Sequence, residues 1–63
     1  MDNVLYYEVE DNQGKVLKTV ETVKDLTAYA DSLTEDQAWD MFAYAILADN
    51  TAASVTFDGE IIY

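Results

Sequence analysis

The sequence has 63 residues and contains neither cysteine nor histidine. A chain of this length forms one domain and buries only about 60% of the surface that its unfolded form exposes. Without these two residue types it lacks disulfides and the usual zinc and copper ligands. Residues 1–63 are therefore predicted to form a single domain that is held together by apolar packing. The 51% share of hydrophobic residues is sufficient for such a core.

Two strands joined by a tight turn are predicted at the start of the chain. Residues 3–10 alternate in the manner of a strand, and one face of it carries Leu5, Tyr7 and Val9. Residues 11–14 favour a turn that ends at a glycine, and residues 15–21 are predicted to form the returning strand. Glu8 and Lys18 are expected to pair across the outer face, for less than about 1 kcal/mol.

Two helices are predicted to follow the hairpin. Thr22 is a suitable N-cap for a helix over residues 23–32, in which apolar residues recur at spacings of three and four. Thr34 and Gln37 match a capping box, which marks the start of another helix. The second helix is predicted over about residues 35–48, with almost no loop between the two.

A second hairpin is predicted near the end of the sequence. Asp58 and Gly59 form the dipeptide that most strongly favours a two-residue hairpin turn, and they separate the short apolar runs 54–57 and 60–63. The predicted order is ββααββ. We therefore expect an α+β fold in which an antiparallel sheet carries both helices on one face.

The predicted second helix is apolar nearly all round. One arc of it is the expected core face, with Ala38, Trp39, Phe42, Ala45 and Ile46, and Met41 at its edge. The opposite arc mixes apolar and acidic side chains, which makes it the candidate partner-binding surface. Its proposed contact residues are Asp36, Asp40, Tyr44 and Leu47, with the neighbouring acids Asp31 and Glu35. Burial of this arc inside the fold, or in a homodimer, is the alternative interpretation.

Thirteen acidic residues oppose three lysines, so the formal charge is −10. The lysines lie between residues 15 and 24, whereas the stretch from residue 25 to the end has eight acids and no basic residue. Such a surface repels nucleic acid and anionic membranes, so neither is expected as a direct partner. The sequence shows neither an apolar span nor a signal peptide, and a cytoplasmic location is expected, in a bacterial host if the chain is encoded by a phage.

Catalytic and cofactor sites are not expected. The sequence lacks a glycine-rich phosphate loop and any Ser/His or Cys/His pair, and its acids fall mostly at predicted caps, turns and outer faces. A domain of this size also has little room for a substrate pocket. We therefore predict no enzyme activity, no cofactor and no metal site.

Binding to a basic protein is the function that the charge favours. A groove that neutralises phosphates also attracts rigidly held carboxylates, so the chain is predicted to inhibit a DNA- or RNA-handling protein by imitating nucleic acid. In size, charge and scarcity of lysine it resembles the compact acidic inhibitors of phages, which include anti-CRISPR, anti-restriction and uracil-DNA glycosylase inhibitors. The alternatives are a protein-interaction module or homodimeric accessory protein without mimicry, and a protein whose acidity serves solvation alone.

Overall fold

The computed structural model describes residues 4–62 as one four-stranded sheet with two helices. In chain order the elements are β1 (Val4–Asp11), β2 (Val16–Val20), α1 (Val23–Asp31), α2 (Glu35–Trp39), β3 (Met41–Leu47) and β4 (Ala52–Val55). The strands lie in the order β2-β1-β3-β4, and all neighbours are antiparallel. The predicted α+β class and the ββααββ order are confirmed.

The first hairpin forms as predicted and is closed by its own turn residues. The Asp11 amide donates to the Lys15 carbonyl at 2.9 Å, and Gly14 has the left-handed φ of 83° that this turn requires. The Asp11 carboxylate accepts from the backbone amides of Lys15 and Gln13, both at 2.9 Å. These two hydrogen bonds, first that from Lys15, lower the pKa of Asp11.

The strand register contradicts the predicted pair of Glu8 and Lys18. Glu8 lies opposite Thr19, whereas Lys18 lies opposite Val9 on the other face of the sheet. Because side chains alternate between faces, a register that differs by one residue separates the two charges completely.

Helix α1 also follows its prediction. The Thr22 hydroxyl accepts from the Asp25 amide at 3.1 Å, which caps the first turn. The helix ends at Asp31, one residue before the predicted end, and the amide of Ser32 donates back to the Tyr29 carbonyl. Leu26 of this helix is completely buried and fixes α1 against one face of the sheet.

The second helix is much shorter than predicted, because it ends at Trp39 and residues 41–47 form the central strand β3. The capping box is present, with Thr34 and Gln37 each bonding the other's backbone amide at 3.2 and 2.9 Å. Residues 41–47, which follow the helix, are all apolar, so their sequence fits the two-residue period of a strand and the 3.6-residue period of a helix equally well. Pairing with β1 on one side and β4 on the other decides in favour of a strand.

The segment after β4 contains the predicted turn, but the pairing on either side of the turn is too short to form a second hairpin of two strands. The Thr56 amide donates to the Glu60 carbonyl at 2.8 Å, and Gly59 has a φ of 84°. Beyond the turn, a single bridge joins Val55 to Ile61. The strand predicted over residues 54–57 instead runs from Ala52 to Val55. Tyr63, at the end of the predicted last arm, lies outside the described residues.

The core lies on one face of the sheet. Its buried members are Tyr7, Val9, Val20, Leu26, Ala43, Ala45 and Val55, and Tyr29, Met41, Leu47 and Phe57 pack against them. The Thr27 hydroxyl of α1 donates to the Phe57 carbonyl at 3.1 Å and so ties the helix to the segment after β4. The same face is thus covered by α1 and by Phe57.

Candidate functional site

The second face of the sheet carries an aromatic and acidic set of side chains, and we call it the open face. The alternation of the strands and their register place Tyr6, Glu8, Glu10, Phe42, Tyr44, Ile46, Ala52 and Ser54 on it. None of these residues belongs to the buried core, although each strand contributes buried residues to the opposite face.

Two glutamates stand directly beside two aromatic rings on the open face. Glu8 lies opposite Tyr44 and Glu10 lies opposite Phe42, so each pair has Cβ atoms about 5 Å apart. Phe42 is 49% exposed, and both glutamates are half-buried. The open face is therefore an apolar surface in which carboxylates lie among the aromatic side chains rather than only around them.

A shallow groove crosses the outer part of this face. It has a volume of about 210 Å³, and its lining includes Phe42, Tyr44, Ser54 and Ile62. This volume is below the range of about 300 Å³ and above that is typical of small-molecule sites. The groove is therefore suited to a single side chain of a partner rather than to a substrate.

Trp39 is the most exposed large apolar residue that the structure describes, at 82%. It ends α2, a helix of five residues with none buried, and it lies between two exposed aspartates, Asp36 and Asp40. Phe42 follows Trp39 by three positions along the chain, so the Cα atoms of these two residues lie within about 10 Å of each other. We call Asp36, Trp39 and Asp40, together with Glu8, Glu10, Phe42 and Tyr44, the acidic–aromatic surface.

The predicted contact residues do not form one helical face. Glu35, Asp36 and Asp40 are exposed in or directly after α2, and Asp31 is exposed at the end of α1. Tyr44 is half-buried on the open face of β3. Leu47 instead packs against the core, because odd-numbered residues of β3 face α1.

The predicted core positions of Trp39 and Phe42 are wrong for the same reason. Both predictions depend on a helical period that stops at residue 39, and the strand that follows turns Phe42 away from the core. The two glutamates of the open face were missed as site residues. The signal for these two residues is the alternation of residues 3–10, which places Glu8 and Glu10 on the face of the strand that does not carry Tyr7 and Val9.

The acidic side chains do not gather into a metal centre within residues 4–62, where no group of three or more is placed to hold an ion. Asp49, for example, is engaged in its own turn, since its carboxylate accepts from the Thr51 hydroxyl at 2.6 Å and from the Thr51 amide at 3.1 Å. These bonds, the hydroxyl first, lower the pKa of Asp49. In the same described range, neither helix has the length and hydropathy needed to cross a membrane.

The geometry thus gives an exposed acidic and aromatic surface that is suited to contact with a partner. Comparison of the chain with protein-family models, with curated proteins and with solved structures gives no match.

Proposed function

We propose that this chain is a small acidic inhibitor that binds the basic groove of a nucleic-acid-handling protein through its acidic–aromatic surface. The observation that carries the proposal is the 82% exposure of Trp39 between two aspartates. Tryptophan is strongly enriched among the residues that dominate the energy of protein interfaces. A tryptophan that contributes little buried surface to the fold is available for that role.

The partner's charge follows from the side chains around the tryptophan. Asp36 and Asp40 flank it, and Glu8 and Glu10 lie on the adjoining open face. Burying four carboxylates against a neutral or acidic surface leaves them without partners, which is costly. Lysine and arginine side chains of a phosphate-binding groove compensate these charges, and arginine also stacks on aromatic rings.

The whole chain contributes to the encounter. With a net charge of −10, it is drawn toward a basic groove over a distance of about one Debye length, roughly 8 Å at physiological salt. Such steering raises the association rate and makes it sensitive to salt. A groove filled in this way excludes nucleic acid.

The proposal is tested by displacement of labelled DNA from three purified proteins: a uracil-DNA glycosylase, a restriction enzyme and a CRISPR effector. We expect the chain to release DNA from at least one of them, more weakly as salt rises. Trp39→Ala should reduce that inhibition at least tenfold, because removing an interface tryptophan costs about 2 kcal/mol or more. The double variant Asp36→Lys/Asp40→Lys should reduce it to a similar extent.

Leu5→Ala is the matched control, since Leu5 is 52% exposed and does not belong to the acidic–aromatic surface. It should inhibit like the unaltered chain. Equal inhibition by Trp39→Ala and the unaltered chain would reject α2 as the contact. Tight binding to a basic protein that still holds its DNA would favour an interaction module without mimicry.

A further inference from the structure

One edge of the sheet is partly covered by the chain itself. β4 is an edge strand, yet its outward Ser54 carbonyl accepts from the Ile62 amide at 2.8 Å. Just beyond it, the Thr56 amide donates to the Glu60 carbonyl at 2.8 Å. The segment over residues 60–62 thus satisfies backbone groups that an edge strand otherwise presents to other chains.

The opposite edge, β2, stays open. In an antiparallel ladder the amide and carbonyl of one residue point to the same side, and successive residues alternate. The Asp11 amide bonds Lys15, so odd-numbered residues of β1 point toward β2, and their partners Lys18 and Val20 point back. Thr19 lies between these two, so its amide and carbonyl point away from the sheet into solvent.

The charges along this edge are complementary to a second copy of the same edge. β2 is preceded by Lys15 and contains Lys18, and it is followed by Glu21. Antiparallel pairing of two such strands about Thr19 places Glu21 of each copy opposite Leu17 of the other, within the stretch that carries Lys15 and Lys18. Pairing through the open faces instead brings Glu8 and Glu10 of both copies together, which opposes association.

The edge also offers apolar surface and space. Val16 and Leu17 are 46% and 39% exposed. A groove of about 510 Å³ runs between β2 and α1, and its lining includes Lys18, Val20 and Tyr29. The side chains of an added strand on the α1 side of the sheet would occupy this groove, as in peptide recognition by strand addition.

We propose that two copies of this chain pair antiparallel through β2, centred on Thr19, and form one continuous eight-stranded sheet. In this register Lys18 of each copy lies opposite Val20 of the other, so no two lysines are directly opposed. The two Thr19 residues form a hydrogen-bonded pair, and threonine pairs across strands are favourable. The symmetry is that of a closed twofold dimer.

Sedimentation of the full chain tests the proposal. From about 10 µM to about 1 mM, the range in which small interfaces associate, the mass should rise from one chain toward two. Higher salt should increase the dimer, because it screens the repulsion between two copies that each carry −10. Binding of a basic partner weakens with salt, so the two interactions are distinguished by this dependence.

Two substitutions at Thr19 locate the contact. Thr19→Pro removes the outward amide without removing a donor of the β1–β2 ladder, and should give a monomer with unchanged circular dichroism. Thr19→Val keeps that amide and should still dimerise. Thr19→Cys introduces the single cysteine of the chain. In a hydrogen-bonded pair its Cα lies about 5.5 Å from its counterpart, within the range for a disulfide.

Ser54→Cys, on the partly covered edge, is the control for this cross-link, since Ser54 is also exposed. Oxidation should link Thr19→Cys at least tenfold faster than Ser54→Cys. A constant single-chain mass up to the highest concentration overturns the proposal, and so do equal cross-linking rates at the two positions. Should Thr19→Pro fail to fold, the cross-linking rates decide.

Discussion

The contact between Gly59 and α1 gives the sharpest test of the fold. Gly59 has a φ of 84°, and a Cβ added there lies 2.7 Å from Cγ2 and 3.1 Å from Cγ1 of Val23. Replacement by alanine therefore incurs two separate costs. The left-handed backbone costs about 1–2 kcal/mol for a residue with a side chain. The overlap adds about 1–3 kcal/mol, because Val23 is β-branched and has little rotamer freedom in a helix.

Gly59→Ala should thus lose about 2–5 kcal/mol of unfolding free energy. A domain of 63 residues has a total of roughly 3–9 kcal/mol at 0.05–0.15 kcal/mol per residue. The substitution is therefore expected to remove about half of the stability. Urea denaturation followed by far-UV circular dichroism measures this loss as a lower midpoint with an unchanged slope.

Gly14→Ala is the matched control. Its φ is 83°, but the nearest atom to an added Cβ is an Oε1 of Glu10 at 4.0 Å, so only the backbone cost applies. The difference between the two variants isolates the overlap. In the double variant Gly59→Ala/Val23→Ala this difference should largely disappear. Equal losses for Gly59→Ala and Gly14→Ala would show that the turn does not press on α1 as described.

Other substitutions test the assignment of core and surface, and one tests the response to acid. Trp39→Ala should change the unfolding free energy by less than about 0.5 kcal/mol, whereas Leu26→Ala should cost about 2–5 kcal/mol, both measured by urea denaturation. The lowered folded-state pKa values of Asp11 and Asp49 favour the folded state above pH 3.8, their ordinary value, and this contribution is lost as pH falls through the lower folded values. Asp11→Asn should therefore lose less stability than the unaltered chain below pH 3.8 in parallel acid titrations; identical curves would contradict the role of its turn hydrogen bonds.

The elements set by local chemistry were predictable from sequence. The N-caps at Thr22 and Thr34 and the turns at Gly14 and Gly59 depend on interactions within four residues, and all four are present. The turn at Gly59 differs from the prediction in detail, because three residues rather than two separate its closing pair, Thr56 and Glu60. Such features are visible in the sequence because their partners are close along the chain.

Strand β3 could not be assigned in the same way. Met41–Leu47 is apolar at every position, so helical and strand periods fit it equally well. Its conformation depends on β1, more than thirty residues earlier in the chain, and on β4. The error moved Phe42 into the predicted core and Leu47 out of it. The candidate site could therefore be predicted only in part. The acidic residues of α2 follow from the sequence, whereas those of β1 do not, because their aromatic neighbours lie on β3.

The segment Glu60–Ile62, which follows the last turn, limits growth of the sheet in the assembly that we propose. Because Glu60–Ile62 is bonded to Ser54 and Thr56 along the outer side of β4, the proposed pair of chains has both of its outer edges partly covered, which opposes the addition of further copies. Without this segment both edge strands of each chain, β2 and β4, present unpaired backbone groups. Further copies can then pair at either edge of the sheet without limit, as in a fibril. Shortening the chain at Asp58 is thus expected to turn a self-limiting pair into a polymer, visible as thioflavin-positive aggregates.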